Sequence, residues 1–330
     1  MTLAPCRHRD DPPVNGEQSG GPRATDRVAT EGVSRILRTL EAAAILEDRA
    51  ELGECPVWDD RENVLWWIDW ARGFVYRSDV VAGVSTAVRV GASVSAVAMA
   101  PAGRVALALE HGFAELDPGS GRVRELGRAE PDGAETRMCD GKCDARGRFW
   151  AGTMALDERS PIGALFVMEP DGRVRRVLDD VICSNGLCWS EDNTKFYYID
   201  SATCRIDVFD FDLAQGTLAN RATVVQIPPG DGSPDGLTID REGYLWVALW
   251  DGWQVRRYSP TGELDTIVEL PVARPTSCAL GGPDLRDLFV TTAMPDSADE
   301  RSDQTLAGAV FRARADAPGR PAYHCRYESA

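Results

Sequence analysis

The most constraining feature of this chain is a segment pattern that occurs six times between residues 53 and 292. In each copy a polar residue is followed, ten to twelve positions later, by an apolar run of β-forming residues, with a turn sequence between them. The copies read GECPVWDDRENVLWWID, VSAVAMAPAGRVALAL, CDGKCDARGRFWAGT, NGLCWSEDNTKFYYID, DGLTIDREGYLWVAL and TSCALGGPDLRDLFVTT. The aligned polar positions, successively 41 to 50 residues apart, are Glu54, Ser95, Cys139, Asn185, Asp235 and Thr276. This period is typical of propeller blades and predicts an all-β fold, a six-bladed β-propeller.

The domain organisation follows from the repeat. Six blades of about 45 residues require most of the chain, so residues 35–330 are predicted to form a single propeller domain. Residues 1–34 are rich in Pro, Gly, Asp and Arg, lack the apolar stretch of a signal peptide, and are predicted to be a disordered N-terminal tail. The segment AAAILEDRA is predicted to be a strand that completes the last blade beside AVFRAR or PAYHCRY, which removes an open sheet edge. A short helix over RILRTLEAAAILE is the alternative.

Composition excludes several classes of partner. The net charge of −16 argues against nucleic acid, because phosphate backbones are bound through Lys and Arg. No apolar run approaches the length of a membrane span, so we expect no membrane partner and a cytoplasmic location. The nine cysteines lack the paired spacing of a zinc ribbon, and Cys143 and Cys188 are predicted to be buried strand thiols. Either a monomer or a homodimer is compatible with the sequence.

The repeat also predicts a site. Equivalent residues of a radial repeat point at the axis, so Glu54, Asn185 and Asp235 are expected to converge there. Two carboxylates and an amide oxygen suit a divalent cation, and metal-assisted hydrolysis is the enzymatic chemistry this favours. The alternative is that these residues bond to loop backbone, because Asn-Gly and Asp-Gly are common turn dipeptides. None of the three histidines lies in the ring, and no G-x-S-x-G or phosphate-binding loop is present.

Five long strings between about Leu52 and Arg312 carry a family resemblance. They are LGECPVWD, RMCDGKCDARGRFWAGTM, SNGLCWSEDNTKFYYIDS, PDGLTIDREGYLWVA and RPTSCALGGPDLRDLFVTTA. On these strings the chain resembles the gluconolactonase and regucalcin (senescence marker protein) family of six-bladed propellers. The resemblance implies one divalent metal held by Glu54, Asn185 and Asp235, hydrolysis of sugar lactones, and Asp235 as the general base.

The resemblance also implies residues that bind the substrate. Family members contact sugar hydroxyls through the Arg and Asn of R-x-N-D-G-K, and here Arg137 matches the Arg whereas Cys139 replaces the Asn. A further acidic contact after the GTM string matches Asp157. A thiol is a weaker hydrogen-bonding group than an amide, so the preferred sugar is expected to differ at Cys139.

The expected function is therefore metal-dependent hydrolysis of sugar lactones to aldonic acids by a hydrolase acting on carboxylic ester bonds. A metal-activated water is the expected nucleophile, with Asp235 as its base. All-oxygen ligation does not distinguish calcium, zinc, manganese, magnesium or iron(II). Two alternatives remain open at this point: a metal-dependent esterase or phosphotriesterase-like hydrolase, and a non-enzymatic calcium-binding propeller.

Overall fold

A computed structural model describes residues 37–327 and consists of six blades, each containing four antiparallel strands that lie side by side from the axis outward; blade 5 has a fifth strand at its outer edge. From the innermost strand outward, blade 1 contains β3 (Gly53–Asp59), β4 (Val64–Asp69), β5 (Phe74–Asp79) and β6 (Val84–Arg89), and blade 2 contains β7 (Val94–Met99), β8 (Val105–Leu109), β9 (Gly112–Asp117) and β10 (Arg122–Arg128). Blade 3 contains β11 (Thr136–Cys143), β12 (Phe149–Ala155), β13 (Gly163–Met168) and β14 (Val174–Val181), and blade 4 contains β15 (Ser184–Trp189), β16 (Lys195–Asp200), β17 (Arg205–Asp212) and β18 (Thr217–Gln226). Blade 5 contains β19 (Ser233–Ile239), β20 (Leu245–Trp250), β21 (Gln254–Tyr258), β22 (Leu264–Glu269) and an added outer strand, β1 (Arg38–Glu41), and blade 6 contains β23 (Pro275–Gly281), β24 (Asp287–Thr292), β25 (Phe311–Arg314) and β2 (Ala43–Ala44).

The inner strands close the ring. They contact one another in the order β3, β7, β11, β15, β19 and β23, and β23 contacts β3 again. The predicted all-β, six-bladed propeller is confirmed. Helix is confined within residues 37–327 to α1 (Ala298–Asp303) and two 3₁₀ turns, Pro101–Gly103 and Ser201–Thr203, none of them long or apolar enough to cross a bilayer. The predicted tail, residues 1–34, lies outside the described residues.

A recurring aspartate stabilises the turn after the inner strand of two blades. Asp144 accepts hydrogen bonds from the backbone N–H of Arg148 and from the indole N–H of Trp150, at 3.1 and 2.8 Å. Asp240 repeats the arrangement in blade 5, where the indole of Trp246 donates at 3.0 Å. Both tryptophans are fully buried. One buried carboxylate thereby fixes both the turn and the rotamer of a core tryptophan in each of these blades.

The first two strands complete blades 5 and 6. Ala43–Ala44 pairs with Phe311–Arg314, so the prediction that AAAILEDRA lies beside AVFRAR is confirmed for these two residues. The helical alternative over RILRTLEAAAILE is wrong, because Arg38–Glu41 is a strand that pairs in parallel with β22. The backbone N–H and C=O groups of this segment bond to β22 and β25, and these sheet hydrogen bonds replace the ones that a helix would form.

The last described segment, residues 315–327, has no sheet pairing, and we call it the C-terminal strap. It crosses the end of the ring opposite Glu54 and reaches five blades. The contacts are Ala315 N to Arg286 O in blade 6 (2.8 Å), Arg241 N to Pro318 O in blade 5 (2.9 Å), Arg320 Nη2 to Trp189 O in blade 4 (2.9 Å), Arg326 N to Gly147 O in blade 3 (2.8 Å) and Cys325 N to Met99 O in blade 2 (2.7 Å). PAYHCRY is therefore part of the strap and not a strand.

The predicted buried thiols are confirmed. Cys143 and Cys188 are both buried and free, on the inner strands of blades 3 and 4. Their burial among apolar side chains raises the pKa of Cys188 to about 12, so this thiol stays protonated and unreactive near neutral pH.

Candidate active site

All six aligned polar positions lie at or within a β-bulge of their inner strand. The pairing of inner and second strand shifts register between Glu54 and Val57, Val94 and Ala96, Met138 and Gly141, Ser184 and Leu187, Pro234 and Leu237, and Pro275 and Ser277. A bulge redirects a side chain that regular pleating would send along the sheet face. The repeat in the sequence thus corresponds to a repeated backbone irregularity at one end of the ring.

The glycines after Asn185 and Asp235 lie in strands and not in turns. A Cβ on Gly186 would stand 2.4 Å from the Cβ of Leu237, and a Cβ on Gly236 would stand 2.1 Å from Ser277 Oγ. Each glycine therefore permits the inner strand of one blade to approach that of the next. These Asn-Gly and Asp-Gly pairs are therefore not turns, and the close packing of the inner strands accounts for the two glycines.

The amide of Asn185 has a defined orientation. Its nitrogen donates to Ser201 Oγ at 2.8 Å, which leaves Oδ1 as the group turned toward Cys139, whose thiol donates to it at 3.3 Å. The nitrogen also lies 3.6 Å from the sulfur of Cys183. An amide oxygen presented in this way is available as a ligand or hydrogen-bond acceptor.

Two buried carboxylates lie close to this amide. The pKa of Glu54 is raised well above its ordinary value by burial, and then by the negative charges of Asp235 and Asp140. The pKa of Asp235 is raised by burial, and then by its proximity to Cys139 and Asp140. No positively charged side chain of the described residues offsets either shift. The structure thus brings the predicted Glu54, Asn185 and Asp235 to one end of the axis.

A third carboxylate of this site, Asp140, was not singled out from the sequence. It is buried, and its charge raises the pKa of both Glu54 and Asp235. Burial raises the pKa of Asp140 above its ordinary value, and the positive charge of Lys142 offsets this only in part. Lys142 Nζ donates to Leu237 O at 2.7 Å. The sequence could have indicated Asp140, because this residue directly follows the aligned position Cys139 within the CDGK string.

Arg137 and Asp157 occupy different environments. The guanidinium of Arg137 lies 4.6 Å above the ring of Trp70, and its Nη2 lies 3.9 Å from Glu158 Oε1. Asp157 is exposed, and its carboxylate accepts from the hydroxyl and the N–H of Ser160, which lowers its pKa to about 2. The acidic neighbour of Arg137 in this structure is therefore Glu158, because the turn already engages Asp157.

Comparison with known proteins identifies the family of this chain. The family model described as "SMP-30/Gluconolactonase/LRE-like region" matches residues 52–294. The chain belongs to this family. Regucalcin of Gallus gallus is 39% identical over 284 residues, covering 84% of this chain and 95% of that protein. A solved luciferin-regenerating enzyme has a TM-score of 0.80 at 30% identity, covering 87% of this chain and 99% of that one.

A further structure shows likeness of fold. The calcium-binding protein regucalcin of Agrobacterium tumefaciens has a TM-score of 0.83 at 24% identity, covering 89% of this chain and all of that one, 100%. Together with the family match, these relatives establish the resemblance predicted from the sequence. Membership of the SMP-30/gluconolactonase family supports a lactonase-type role and suggests a hydrolase.

The candidate ligands fit a hard divalent cation by their chemistry. Glu54 and Asp235 are buried like charges without a cationic partner among residues 37–327, and Asn185 presents an oxygen beside them. Within the same residues no group of three or more His, Cys, Asp or Glu side chains is placed to hold a metal ion. The proposed set contains two such side chains and one amide. A bound cation would offset the repulsion that raises the pKa of Glu54.

Proposed function

We propose that this protein is a metal-dependent lactone hydrolase that opens sugar lactones to aldonic acids. The observation that carries the proposal is the convergence of Glu54, Asp235 and the oriented Asn185 amide at one end of the ring. These three side chains would hold the divalent cation, which supplies positive charge that stabilises the oxyanion formed during attack on a carbonyl. Family membership supports the lactonase chemistry.

The roles of the chain's own residues follow from their positions. In this proposal Asp235 accepts a proton from the water that attacks the lactone carbonyl carbon, the role that the family resemblance implies for it. Arg137, held on the face of Trp70 and beside Glu158, binds a substrate oxygen, and Glu158 accepts from a hydroxyl. Glu54, Asn185 and Asp235 are buried, so interactions with these three side chains are stronger than they would be in solvent.

The test uses metal-stripped protein to which calcium, magnesium, manganese, zinc or iron(II) is returned singly. Binding stoichiometry is measured by calorimetry, and hydrolysis of D-glucono-1,5-lactone is followed at constant pH after subtraction of spontaneous opening. Glu54→Gln is compared with Ser95→Ala, a matched control at the equivalent position of blade 2. Cation-dependent turnover that Glu54→Gln abolishes and Ser95→Ala retains would support the proposal. Stoichiometric binding without turnover would instead indicate a cation that only stabilises the ring.

A further inference from the structure

Cys139 places a sulfur atom beside a candidate metal ligand. Its thiol donates to Asn185 Oδ1 at 3.3 Å, and this is the amide oxygen that the proposed cation would contact. The amide nitrogen does not face this sulfur, because it is engaged by Ser201 Oγ at 2.8 Å. The sulfur of Cys139 and the oxygen of Asn185 therefore face each other with the thiol proton between them.

The distance between these two atoms suits a shared cation. A tetrahedral zinc ion binds sulfur at about 2.3 Å and oxygen at about 2.0 Å, so two such ligand atoms lie about 3.5 Å apart. The separation of Cys139 Sγ and Asn185 Oδ1, 3.3 Å, is close to that value. A divalent cation can therefore take the place of the thiol proton without a large movement of either side chain.

A carboxylate lies next to the same sulfur. Asp235 is close enough to Cys139 for the two groups to interact electrostatically, and both side chains are buried. Together with Asn185 they supply one sulfur and two oxygen donors, from the inner strands of blades 3, 4 and 5. Within residues 37–327 no three His, Cys, Asp or Glu side chains are placed to hold a metal ion, and this set requires only two of them.

A second buried thiol touches the same amide in a different way. The sulfur of Cys183 lies 3.6 Å from the Asn185 amide nitrogen, a hydrogen-bond donor that offers no lone pair to a cation. Cys183 and Cys139 are both buried. They differ in which atom of the amide they face, so Cys183 is a matched control for any effect of the Cys139 sulfur.

We propose that Cys139 binds the cation together with Asn185 and Asp235, and makes the site selective for a thiophilic divalent cation, zinc in preference to calcium or magnesium. The proposal rests on the metal site of the proposed function and identifies the class of cation that occupies it. Calcium and magnesium take oxygen ligands, whereas a thiolate favours zinc and similar ions. The thiol proton passes to solvent as the cation binds, so no oxidant or reductant takes part.

The first test detects the bond between sulfur and metal. Cobalt(II) is added to metal-stripped protein as a coloured substitute for zinc, and the near-ultraviolet absorption is recorded. We expect a thiolate-to-cobalt charge-transfer band in the wild type and in Cys183→Ser, and no such band in Cys139→Ser. X-ray absorption of the zinc-loaded wild type, which depends on no variant, should show a sulfur neighbour at about 2.3 Å from zinc.

The second test measures selectivity by calorimetry on metal-stripped protein. Zinc should bind the wild type more tightly than calcium does. In Cys139→Ser the affinity for zinc should fall by about tenfold or more, because loss of a residue that merely orients a ligand already has that effect. Calcium affinity should stay near the wild-type value, since the oxygen ligands remain. Cys139→Ala is measured in parallel, in case a buried serine weakens the fold.

The outcomes separate this proposal from the lactonase function. A sulfur neighbour from Cys139 without lactone hydrolysis by any metal-loaded form would support the proposal and overturn the lactonase. Hydrolysis by zinc-loaded protein that shows no sulfur neighbour would do the reverse. A charge-transfer band that persists in both Cys139 variants would place the metal at another thiol and overturn the proposal. Equal losses of zinc and calcium affinity in Cys139→Ser would also overturn it.

Discussion

The amide nitrogen of Asn185 donates to Ser201 Oγ at 2.8 Å, and Ser201 Oγ donates in turn to the carbonyl oxygen of Pro234 at 2.6 Å. Pro234 immediately precedes Asp235. One buried hydroxyl of blade 4 therefore orients the Asn185 side chain and anchors the backbone that carries Asp235 in blade 5. Residues that orient a ligand in this way influence affinity without touching the bound group.

The first prediction removes that hydroxyl. Ser201→Ala frees the Asn185 amide to rotate, so we expect affinity for the preferred divalent cation to fall by about tenfold or more, with a cooperative thermal transition retained. Titration calorimetry on metal-stripped protein measures the change. Ser95→Ala, which removes a buried hydroxyl bonded to Ala108 O in blade 2, is the control and should bind as the wild type does. Equal affinity in Ser201→Ala and wild type would contradict the orienting role.

The second prediction concerns the proposed base. Asp235→Asn keeps the volume and one oxygen but removes the proton acceptor, so kcat for glucono-1,5-lactone should fall by about 100-fold or more. Cation binding is measured in parallel. Weaker cation binding by Asp235→Asn would indicate loss of a metal ligand, whereas unchanged binding with lower kcat would indicate loss of the base. Turnover within a few-fold of wild type would show that another group takes the proton.

The third prediction concerns acid stability. Burial disfavours the charged form of Asp265, but hydrogen bonds from Arg257, Thr266 and Arg38 outweigh it and lower the pKa to about 2. A carboxyl whose pKa is lower in the folded than in the unfolded state stabilises the fold above about pH 4, and this stabilisation is lost as the pH falls toward about 2. Asp265→Asn should therefore lower the free energy of unfolding by about 2 kcal/mol at pH 7.

Urea unfolding at pH 7, 5, 4 and 3 tests this expectation. The difference between wild type and Asp265→Asn should shrink progressively below pH 4, because the wild-type carboxyl becomes protonated in both states. A difference of constant size across the four pH values would assign the loss to packing and not to the charge of Asp265.

The fourth prediction concerns the C-terminal strap. The hydroxyl of Tyr327 donates to the buried carboxylate of Glu115, which also accepts from Arg104 and Arg124. Tyr327→Phe leaves that carboxylate with one donor fewer, and we expect the free energy of unfolding to fall by about 1–3 kcal/mol. Tyr323→Phe is the control on the same strap, since its hydroxyl bonds the half-exposed Asn193. A larger loss in Tyr323→Phe would contradict the importance of the Glu115 contact.

The sequence predicted the ring because each blade copies the same pattern. Glu54, Asn185 and Asp235 were identified through their equivalent positions, and the structure places them at one end of the axis. The bulges that aim them were not predicted, because a bulge is a mismatch in the pairing of two strands, and the sequence repeat marks its position without specifying that mismatch. The glycines at 186 and 236 were visible in the sequence, but their packing against the next blade was not.

Other features depend on contacts that the sequence does not display. Asp157 stays a predicted substrate contact, and the structure adds Glu158 as the acidic neighbour of Arg137, because hydrogen bonds within the turn engage the Asp157 carboxylate. The strap has no periodicity, because its backbone and side-chain groups make single bonds to strand ends and loops of five blades and do not pair with one neighbouring strand. Such contacts depend on the assembled ring and have no local signature.

The parallel pairing of β1 with β22 affects the order in which this protein is completed during synthesis. Arg38 leaves the ribosome early, whereas its partner Thr266 emerges only after most of the chain, and the strap follows later still. Blades 5 and 6 therefore each combine a strand that is synthesised early with strands that are synthesised late, and the strap can bond to the ring only after all of these strands have emerged. We expect a nascent chain arrested before the strap to remain sensitive to protease, and the released chain to become resistant in a single step.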